Sequence, residues 1–201
     1  MSAPLIGLAI VATAYIIGTI PFGLVFARWT GAPDPRTKGS GNIGSTNILR
    51  VAGTRAATLT LMMDALKGAL PVWMTGMLLP GSPEWMQASG IAAVAGHVFP
   101  VWTGFRGGKG VATGIGALVV LSPMAAIVVI GVWALVLGAS RYVSLASVTA
   151  AAVLPLVSAL THAPRPLVFA SVVAAIVIVS HRENLVRLRR GTESKLGARS
   201  S

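Results

Sequence analysis

Seven apolar stretches alternate with short polar segments along the chain, at 4–27, 54–79, 86–102, 110–121, 123–139, 143–160 and 165–180. A helix needs about 17–20 mainly apolar residues to cross a bilayer, so 110–121 is short and 123–139 and 165–180 are marginal. Short helices are tolerated where they end inside protein or in a wet cavity. The pattern therefore predicts seven transmembrane helices, some of them short.

The segment 110–139 also allows a second arrangement. Ser122-Pro123 supplies a tight turn between two short apolar runs, which can then form two half-helices of one re-entrant hairpin. The chain would cross the membrane five times instead of seven. Both counts place the two ends of the chain on opposite sides.

The composition agrees with a membrane bundle. Apolar residues make up 54% of the 201 residues and charged residues 10%, whereas an ordinary globular domain carries about 25% charged residues. We therefore predict an all-α integral membrane protein with one domain over 1–201. The first apolar stretch follows Met1-Ser2-Ala3 without a basic segment, so we expect a retained helix and not a cleaved signal. Cysteine is absent, which excludes disulfides.

The basic residues are distributed unequally between the two predicted faces. One face carries 14 of the 16: Arg28, Arg36, Lys38, Arg50, Arg55, Arg106, Lys109, Arg141, Arg182, Arg187, Arg189, Arg190, Lys195 and Arg199. Arg165 lies on the other face and Lys67 lies within a span. The positive-inside rule then predicts an outside N-terminus and a cytoplasmic C-terminus. The net charge of +11 sits at the ends of apolar segments, which favours anionic lipid headgroups and not nucleic acid as the partner.

The first of three polar motif loops on the predicted cytoplasmic face runs from Lys38 to Arg50. It combines three glycines with the hydrogen-bonding residues Ser40, Asn42, Thr46 and Asn47. A connector with a helix N-cap is the simpler interpretation. However, a plain connector does not need two asparagines and a terminal Arg50, whose guanidinium can bind a phosphate through two parallel hydrogen bonds.

The second motif loop is Gly107-Gly108-Lys109-Gly110, which follows His97 at the end of an apolar stretch. Glycines allow peptide N–H groups to point at one oxyanion, and the following helix start and the Lys109 ammonium add positive potential. The nucleotide-binding pattern Gly-x-x-x-x-Gly-Lys-Ser/Thr is absent, because Gly110 follows Lys109. ATP hydrolysis is therefore not supported, whereas phosphate binding is.

The third motif loop spans 180–193. His181 and Asn184 are three residues apart and share a helix face, where His181 can act as a hydrogen-bond donor or a base. The alternative is an amphipathic basic segment on the inner leaflet. Ser144 and Ser147 open the sixth apolar stretch, and back-bonding to their own helix is the simpler expectation for both.

Three further features of the sequence indicate structural and not chemical roles. Asp64 and Lys67 are three residues apart within a span and are expected to pair with each other. Gly110, Gly114 and Gly116 recur at a spacing that predicts close helix contact. Three dispersed histidines without cysteine give no metal-site pattern, so we expect neither a metal nor another cofactor.

Four segments together resemble one family. GSGNIGSTNILR at 39–50, GHVFPVWTGFRGGKGVAT at 96–113, RYVSLAS at 141–147 and HRENLVRLRRGTE at 181–193 are similar to the motifs of the PlsY family, the bacterial membrane acyl-phosphate:glycerol-3-phosphate acyltransferases. The resemblance covers nearly the whole chain. It implies seven transmembrane helices in the bacterial inner membrane, an active site facing the cytoplasm, and functional coupling to a soluble enzyme that produces acyl-phosphate.

The resemblance implies transfer of a fatty acyl group from acyl-phosphate to the 1-hydroxyl of glycerol 3-phosphate, giving lysophosphatidic acid for phospholipid biosynthesis. The expected catalytic residues are His181, Lys109, Arg50 and Asn184. We expect glycerol 3-phosphate to be bound by Ser40, Asn42, Arg50, Lys109, His181 and Asn184. We expect acyl-phosphate to be bound by Thr46, Asn47, Gly107, Gly108, Lys109, Gly110 and Ser144. The general base is either His181 or a phosphate oxygen of the donor.

Two other functions compete with this one. A transporter of small anions or phosphate esters would also need basic loops and short helices, but it should carry polar residues along the whole crossing path. The outer half offers little besides Glu84, His162 and Arg165. A structural membrane subunit that binds anionic lipid would not need loops so rich in glycine and asparagine.

Overall fold

The computed structural model describes residues 3–161 and 166–197, which are all-helical and contain no strand. The helices are α1 (Ala3–Gly18), α2 (Phe22–Trp29), α3 (Ser45–Leu78), α4 (Pro83–Val98), α5 (Val111–Leu121), α6 (Pro123–Ser140), α7 (Val143–Leu160), α8 (Leu167–Ser180) and α9 (Arg182–Arg189). A short 3-10 turn at Val101–Thr103 follows α4. The all-α prediction is confirmed. His162, Arg165 and Arg199 lie outside the described residues.

Three segments are long and apolar enough to cross a membrane: Pro4–Trp29, Pro123–Ser140 and Val143–Leu160. A fourth results if α8 and α9, which meet at an angle of 55°, count as one span. Helix α5 is apolar but has only 11 residues. The predicted count of seven crossings therefore stays a prediction, with three to four clear spans among the described residues.

Two apolar stretches differ from their predicted helices. The first divides into α1 and α2 around Pro21, which has no backbone N–H for a continuous helix. The second begins at Ser45, nine residues before the predicted start at 54, so Thr46, Asn47 and Arg50 lie on the first turns of α3 and not in a loop. Gly53 bends this helix with a φ of 82°.

Glycines let helices approach each other closely. Gly116 of α5 lies against the Ala65 carbonyl of α3, and Gly68 of α3 lies against the Thr113 carbonyl of α5, so that a Cβ at either glycine would overlap the neighbouring backbone. The prediction that glycines serve helix contact is confirmed at Gly116. This crossing holds the N-terminal end of α5 beside α3, where the cavity described below is found.

Both the buried core and the outer surface of the bundle are apolar. Phe169, Val94 and Leu118 are fully buried where α4, α5 and α8 meet. Large apolar side chains such as Leu135 and Leu160 are exposed on the outside. A water-soluble monomer rarely exposes so much contiguous apolar surface, which agrees with a bundle surrounded by lipid.

Candidate active site

A cavity of about 770 Å³ lies where α3, α5, α7 and the α8–α9 junction meet. Ten of the twelve predicted site residues line it: Ser40, Asn42, Thr46, Asn47, Arg50, Lys109, Gly110, Ser144, His181 and Asn184. Gly107 and Gly108 are not among the lining residues. Folding thus brings together the three motif loops and the start of α7, whose predicted site residues lie up to 144 positions apart in the sequence.

Asn47 holds the first motif loop in place. Its amide Nδ2 donates to the carbonyls of Pro35, Lys38 and Asn42 at 2.8–3.1 Å, and its Oδ1 accepts from the Ser40 N–H at 2.8 Å. The side chain is buried and its hydrogen-bonding capacity is filled. Asn47 was predicted as an acyl-phosphate ligand, but in the structure its side-chain amide is hydrogen-bonded to the first motif loop and holds that loop in place.

Asn42 connects the first motif loop to the second. Its Oδ1 accepts from the Gly44 N–H at 2.8 Å, and its Nδ2 donates to the Gly107 carbonyl at 3.3 Å. One side chain therefore sets the distance between two loops that are more than sixty residues apart. The predicted contact of Asn42 with glycerol 3-phosphate stays a prediction.

The glycine loop differs from the predicted phosphate cradle in which N–H groups point into the cavity. The Gly107 N–H donates to the Val98 carbonyl at 3.1 Å and the Gly108 N–H to the His97 carbonyl at 3.0 Å. These bonds satisfy carbonyls at the end of α4, as the last turn of a helix requires. Because both N–H groups are used, they are not available to an anion, which corrects the assignment of Gly107 and Gly108.

The backbone N–H groups of this loop that are left without an acceptor lie one step further along the chain. Within the described residues, the N–H groups of Lys109 and Gly110 have no hydrogen-bond acceptor. Gly110 precedes α5 in a left-handed conformation with φ of 81°, which glycine adopts without strain. The start of α5, with Lys109 beside it, therefore faces the cavity.

Three helices point their N-terminal ends at the cavity. Its lining includes Ser45 and Thr46 at the start of α3, Val111 at the start of α5, and Ser144 at the start of α7. None of these helices has an acidic residue in its first turn. The partial positive charges of α3 and α5 are therefore not offset locally and favour a bound anion, whereas the Glu193 carboxylate lies at the start of α7, 2.7 Å from Ser144 Oγ.

Two cations from different motifs add to this positive potential. The half-buried Arg50 lines the cavity and, among the described residues, makes no hydrogen bond or ion pair. Lys109 donates to Oδ1 of Asn184. Burial is the main cause that lowers the pKa of Lys109 to about 8, and Arg187 and Arg50 lower it further against the opposing effect of Glu193. Lys109 is thus a cation at neutral pH that a bound phosphate would stabilise.

Glu193 binds the Asn184 side chain at its amide nitrogen, on the side away from Lys109. Its carboxylate accepts from Asn184 Nδ2 at 2.6 Å, from Ser144 Oγ at 2.7 Å and from Arg187 Nε at 2.7 Å. Burial by itself would raise the pKa of Glu193, but these three hydrogen bonds and the Arg187 charge lower it below its ordinary value. The carboxylate therefore stays ionised and orients the Asn184 amide so that its oxygen faces Lys109.

Neither Glu193 nor Arg187 was predicted as a site residue. The available signal was that Glu193 is one of few carboxylates on the predicted cytoplasmic face, within a motif that was otherwise basic. The expected back-bonding of Ser144 is also not found, since its hydroxyl donates to Glu193 across 49 residues. Ser147 does back-bond, to the Val143 carbonyl at 2.8 Å, as predicted.

His181 lies between α8 and α9, and Asn184 lies on the first turn of α9, so their side chains both face the cavity. The His181 Nδ1 is 2.8 Å from the Val177 carbonyl. A carbonyl only accepts, so Nδ1 carries the proton and Nε2 offers a lone pair. Burial, and then the Lys109 charge, lower the pKa of His181 to about 4, which keeps the imidazole neutral at neutral pH.

The predicted pair of Asp64 and Lys67 is confirmed. Lys67 Nζ lies 2.8 Å from Asp64 Oδ1, and both side chains are buried. The same carboxylate oxygen lies 3.5 Å from Nδ1 of His97, a contact that the sequence did not indicate. Asp64 and His97 also contribute to the cavity lining.

The far part of the cavity wall is apolar. Leu61, Ile115, Ile130, Trp133 and Ala150 line it between α3, α5, α6 and α7. The cavity therefore joins a cationic polar end to an apolar end within one membrane bundle. This combination suits a molecule with a phosphate group and a hydrocarbon chain, and it defines the class of protein as a helical membrane protein with a phospholipid-type ligand site.

Comparison with known proteins identifies the family. The sequence model of the glycerol-3-phosphate acyltransferase family matches residues 8–191. A glycerol-3-phosphate acyltransferase of Anaeromyxobacter dehalogenans is 43% identical over 98% of this chain and 100% of its own length. One of Myxococcus xanthus is 46% identical over 93% of this chain and 98% of its own length.

A solved structure has the same fold. The crystal structure of PlsY, an integral membrane glycerol 3-phosphate acyltransferase in its glycerol 3-phosphate form, superposes with a TM-score of 0.90 at 39% identity. It covers 95% of this chain and 96% of its own. The lysophosphatidic acid form of PlsY superposes with a TM-score of 0.85 at 37% identity, over 95% of each chain.

This chain therefore belongs to the glycerol-3-phosphate acyltransferase family. The family predicted from the four motifs is confirmed, and so is its enzyme class, an acyltransferase. The transporter alternative has no support among these relatives.

Proposed function

We propose that this chain transfers a fatty acyl group from acyl-phosphate to the 1-hydroxyl of glycerol 3-phosphate and releases lysophosphatidic acid and phosphate. Family membership supports the acyltransferase class and the acceptor. The observation that carries the proposal is the cavity itself, in which Arg50, Lys109 and the N-termini of α3 and α5 form a cationic end next to an apolar end. The two substrates share phosphate groups, and the donor adds a hydrocarbon chain.

The reaction depends more on the alignment of the two substrates than on a strong acid or base in the protein. The 1-hydroxyl oxygen attacks the acyl carbon, the bond from that carbon to the phosphate oxygen breaks, and phosphate leaves with the bonding electrons. Acyl-phosphate is a mixed anhydride with a good leaving group, so alignment and charge stabilisation supply much of the rate. Lys109, Arg50 and the start of α5 are placed to stabilise the negative charge that grows on the phosphate.

The proton of the attacking hydroxyl has two candidate acceptors. Nε2 of His181 has a free lone pair, but a base with a pKa of about 4 is weak compared with one close to the working pH. A phosphate dianion bound next to His181 would raise that pKa, because a nearby negative charge favours the imidazolium. A phosphate oxygen of the donor can also take the proton, and the lowered pKa of His181 favours this route.

We assign the remaining site residues by the polar groups that they present to the cavity; those of Asn184 also contact Lys109 and Glu193. Ser40, Thr46, Arg50, Lys109, Gly110 and Asn184 have polar groups that line the cavity and are proposed substrate ligands. Asn42 and Asn47 hold the loops, and Ser144 holds Glu193. Gly107 and Gly108 cap α4. The proposal keeps glycerol 3-phosphate near His181 and Asn184, and the acyl-phosphate headgroup at the start of α5.

The membrane arrangement belongs to the same proposal. We expect one domain over 1–201 with seven crossings, an outside N-terminus and a cytoplasmic C-terminus, because 14 of 16 basic residues lie on one predicted face. The cavity then opens to the cytoplasm at the bacterial inner membrane. Acyl-phosphate would come from a soluble enzyme on that side.

Acyl transfer by the purified protein tests this function. The detergent-solubilised protein receives palmitoyl-phosphate and radiolabelled glycerol 3-phosphate, with palmitoyl-CoA as the comparison donor and no divalent metal. We expect lysophosphatidic acid and phosphate in equal amounts from palmitoyl-phosphate and none from palmitoyl-CoA. Equal product from palmitoyl-CoA would contradict the proposed donor, and no product from either would contradict the proposed function.

A further inference from the structure

A buried polar network lies beneath the glycine loop and has no part in the reaction described above. Asp64, Lys67 and His97 come from α3 and α4, and each side chain is at most 5% exposed. Lys67 also donates to the Ile20 carbonyl at 2.9 Å and lies 5.6 Å from the centre of the Phe22 ring. The network thus extends from the break between α1 and α2, through α3, to the end of α4.

His97 connects this network to the second motif loop. Its ring lies so close beneath Gly108 that a Cβ at Gly108 would overlap Nε2, and its carbonyl accepts the Gly108 N–H at 3.0 Å. Lys109 is the next residue along the chain. The position of the Lys109 ammonium therefore depends on where the His97 ring lies.

The carboxylate of Asp64 faces the other side of that ring. Its Oδ1 is 2.8 Å from Lys67 Nζ and 3.5 Å from His97 Nδ1, and the contact with His97 is electrostatic and lacks hydrogen-bond geometry. Removing two charges from water costs several kcal/mol each, and a buried ion pair is often replaceable by apolar side chains without loss of stability. A structural need for the Asp64–Lys67 pair alone therefore does not explain why its carboxylate also faces His97.

We propose that Asp64 is a positioning residue that acts through His97 on the Gly107–Gly110 loop. The carboxylate holds the imidazole in one orientation, the imidazole supports Gly108, and the loop in turn places Lys109 and the start of α5 at the substrate phosphate. Lys67 neutralises Asp64 and does not itself act on the loop. The inference rests on the proposed function only for the identity of the anion that the loop binds.

Two double variants separate the positioning role from the ion pair. Asp64→Asn with Lys67→Met removes both charges but keeps an amide oxygen facing His97. Asp64→Leu with Lys67→Met removes both charges and also the oxygen. The two proteins have nearly the same volume at this site and both lack the ion pair, so they differ chiefly in whether a polar oxygen faces His97 Nδ1.

Hydrogen exchange of the Gly107 and Gly108 amides measures local opening of the loop directly and needs no substrate. We expect at least about tenfold faster exchange in the Leu/Met protein than in the Asn/Met protein, because loss of the His97 support opens the loop locally. We also expect at least about a tenfold lower kcat/KM for acyl transfer in the Leu/Met protein, since a misplaced binding group can lower the rate about a hundredfold.

A third variant and a control complete the test. His97→Phe keeps a ring beneath Gly108 and the Asp64–Lys67 pair but lacks Nδ1, so it should reproduce the Leu/Met effects if that protein does not fold. Thr75→Val removes the 3.0 Å hydrogen bond to Ser89 near the opposite ends of α3 and α4 and should leave loop exchange unchanged.

Equal exchange and equal kcat/KM in the Asn/Met and Leu/Met proteins would overturn the proposal, and so would faster loop exchange in Thr75→Val. Wild-type exchange and kinetics in His97→Phe would also overturn it. If the wild-type protein fails to transfer an acyl group, the proposed function fails, but the exchange result still decides the positioning role.

Discussion

Replacing Glu193 by Gln tests whether the carboxylate on the far side of Asn184 is needed for the cationic end of the cavity. In the protein, Glu193 accepts hydrogen bonds from Ser144, Asn184 and Arg187 at 2.6–2.7 Å. Gln has nearly the same shape but has only one side-chain oxygen. With that oxygen retained towards Ser144 and Asn184, the new NH₂ group faces Arg187 Nε, and two donors then oppose each other.

The expected magnitude follows from the lost interaction. A hydrogen bond to a charged group contributes about 1.5–3 kcal/mol, and 1.36 kcal/mol corresponds to a tenfold change in rate. If the loss is fully expressed in the orientation of Asn184 and hence of Lys109, kcat/KM falls by about 10- to 150-fold. Any part of the lost free energy that is not expressed in this orientation lowers the melting temperature instead, because Glu193 also connects α7 to the segment after α9.

The assay is acyl transfer from palmitoyl-phosphate to glycerol 3-phosphate, with each rate divided by the folded fraction from a thermal melt. Glu183→Gln is the matched control, because it removes the same kind of charge, which also raises the pKa of Lys109, but alters no hydrogen bond between side chains of the described residues. We expect the control to retain wild-type kinetics. A Glu193→Gln protein within about twofold of the control would refute the argument that Glu193 orients Asn184 and Lys109.

Four further predictions concern the loop and His181. Lys109→Ala should abolish acyl transfer in folded protein, and unaltered kinetics would contradict its role as a phosphate ligand. Since the pKa of Lys109 is lowered to about 8, its charge is lost as the pH rises through that value, and kcat/KM should fall above about pH 8; a level profile to about pH 9.5 would contradict this. His181→Gln should lower the rate about 10²–10⁴-fold if His181 is the base, whereas near-normal turnover would leave the donor phosphate as the base. Gly108→Ala should weaken substrate binding because its Cβ overlaps the His97 ring, and a KM equal to the wild type would show that the loop adapts.

Much of the architecture could be predicted from the local pattern of the chain. Apolar runs, separated by turns, are enough to predict helices, since each helix satisfies its own backbone and needs only an apolar exterior in lipid. Charge bias, glycine content and motif order likewise identified the polar loops and the family. The pairing of Asp64 with Lys67 was also accessible, because residues three apart on a helix are neighbours.

Roles that depend on contacts between distant segments could not be predicted in this way. The sequence contains the glycine loop, but only packing against α4 directs the Gly107 and Gly108 N–H groups to carbonyls of Val98 and His97. Likewise, Glu193 becomes part of the site because folding brings it to Ser144.

There is a physical reason why the helices could be predicted and the contacts between distant segments could not. Helix formation in a membrane is decided by short-range hydrogen bonding and by hydrophobicity, both of which the order of residues along the chain expresses. Which donor meets which acceptor is decided by how helices pack, as at the crossing of Gly68 and Gly116 between α3 and α5. The sequence alone therefore predicted most of the helices, the polar loops and the family. The tertiary structure decided that, within the described residues, the Lys109 and Gly110 N–H groups are left without an acceptor, and that Asn47 and Glu193 hold the segments around them.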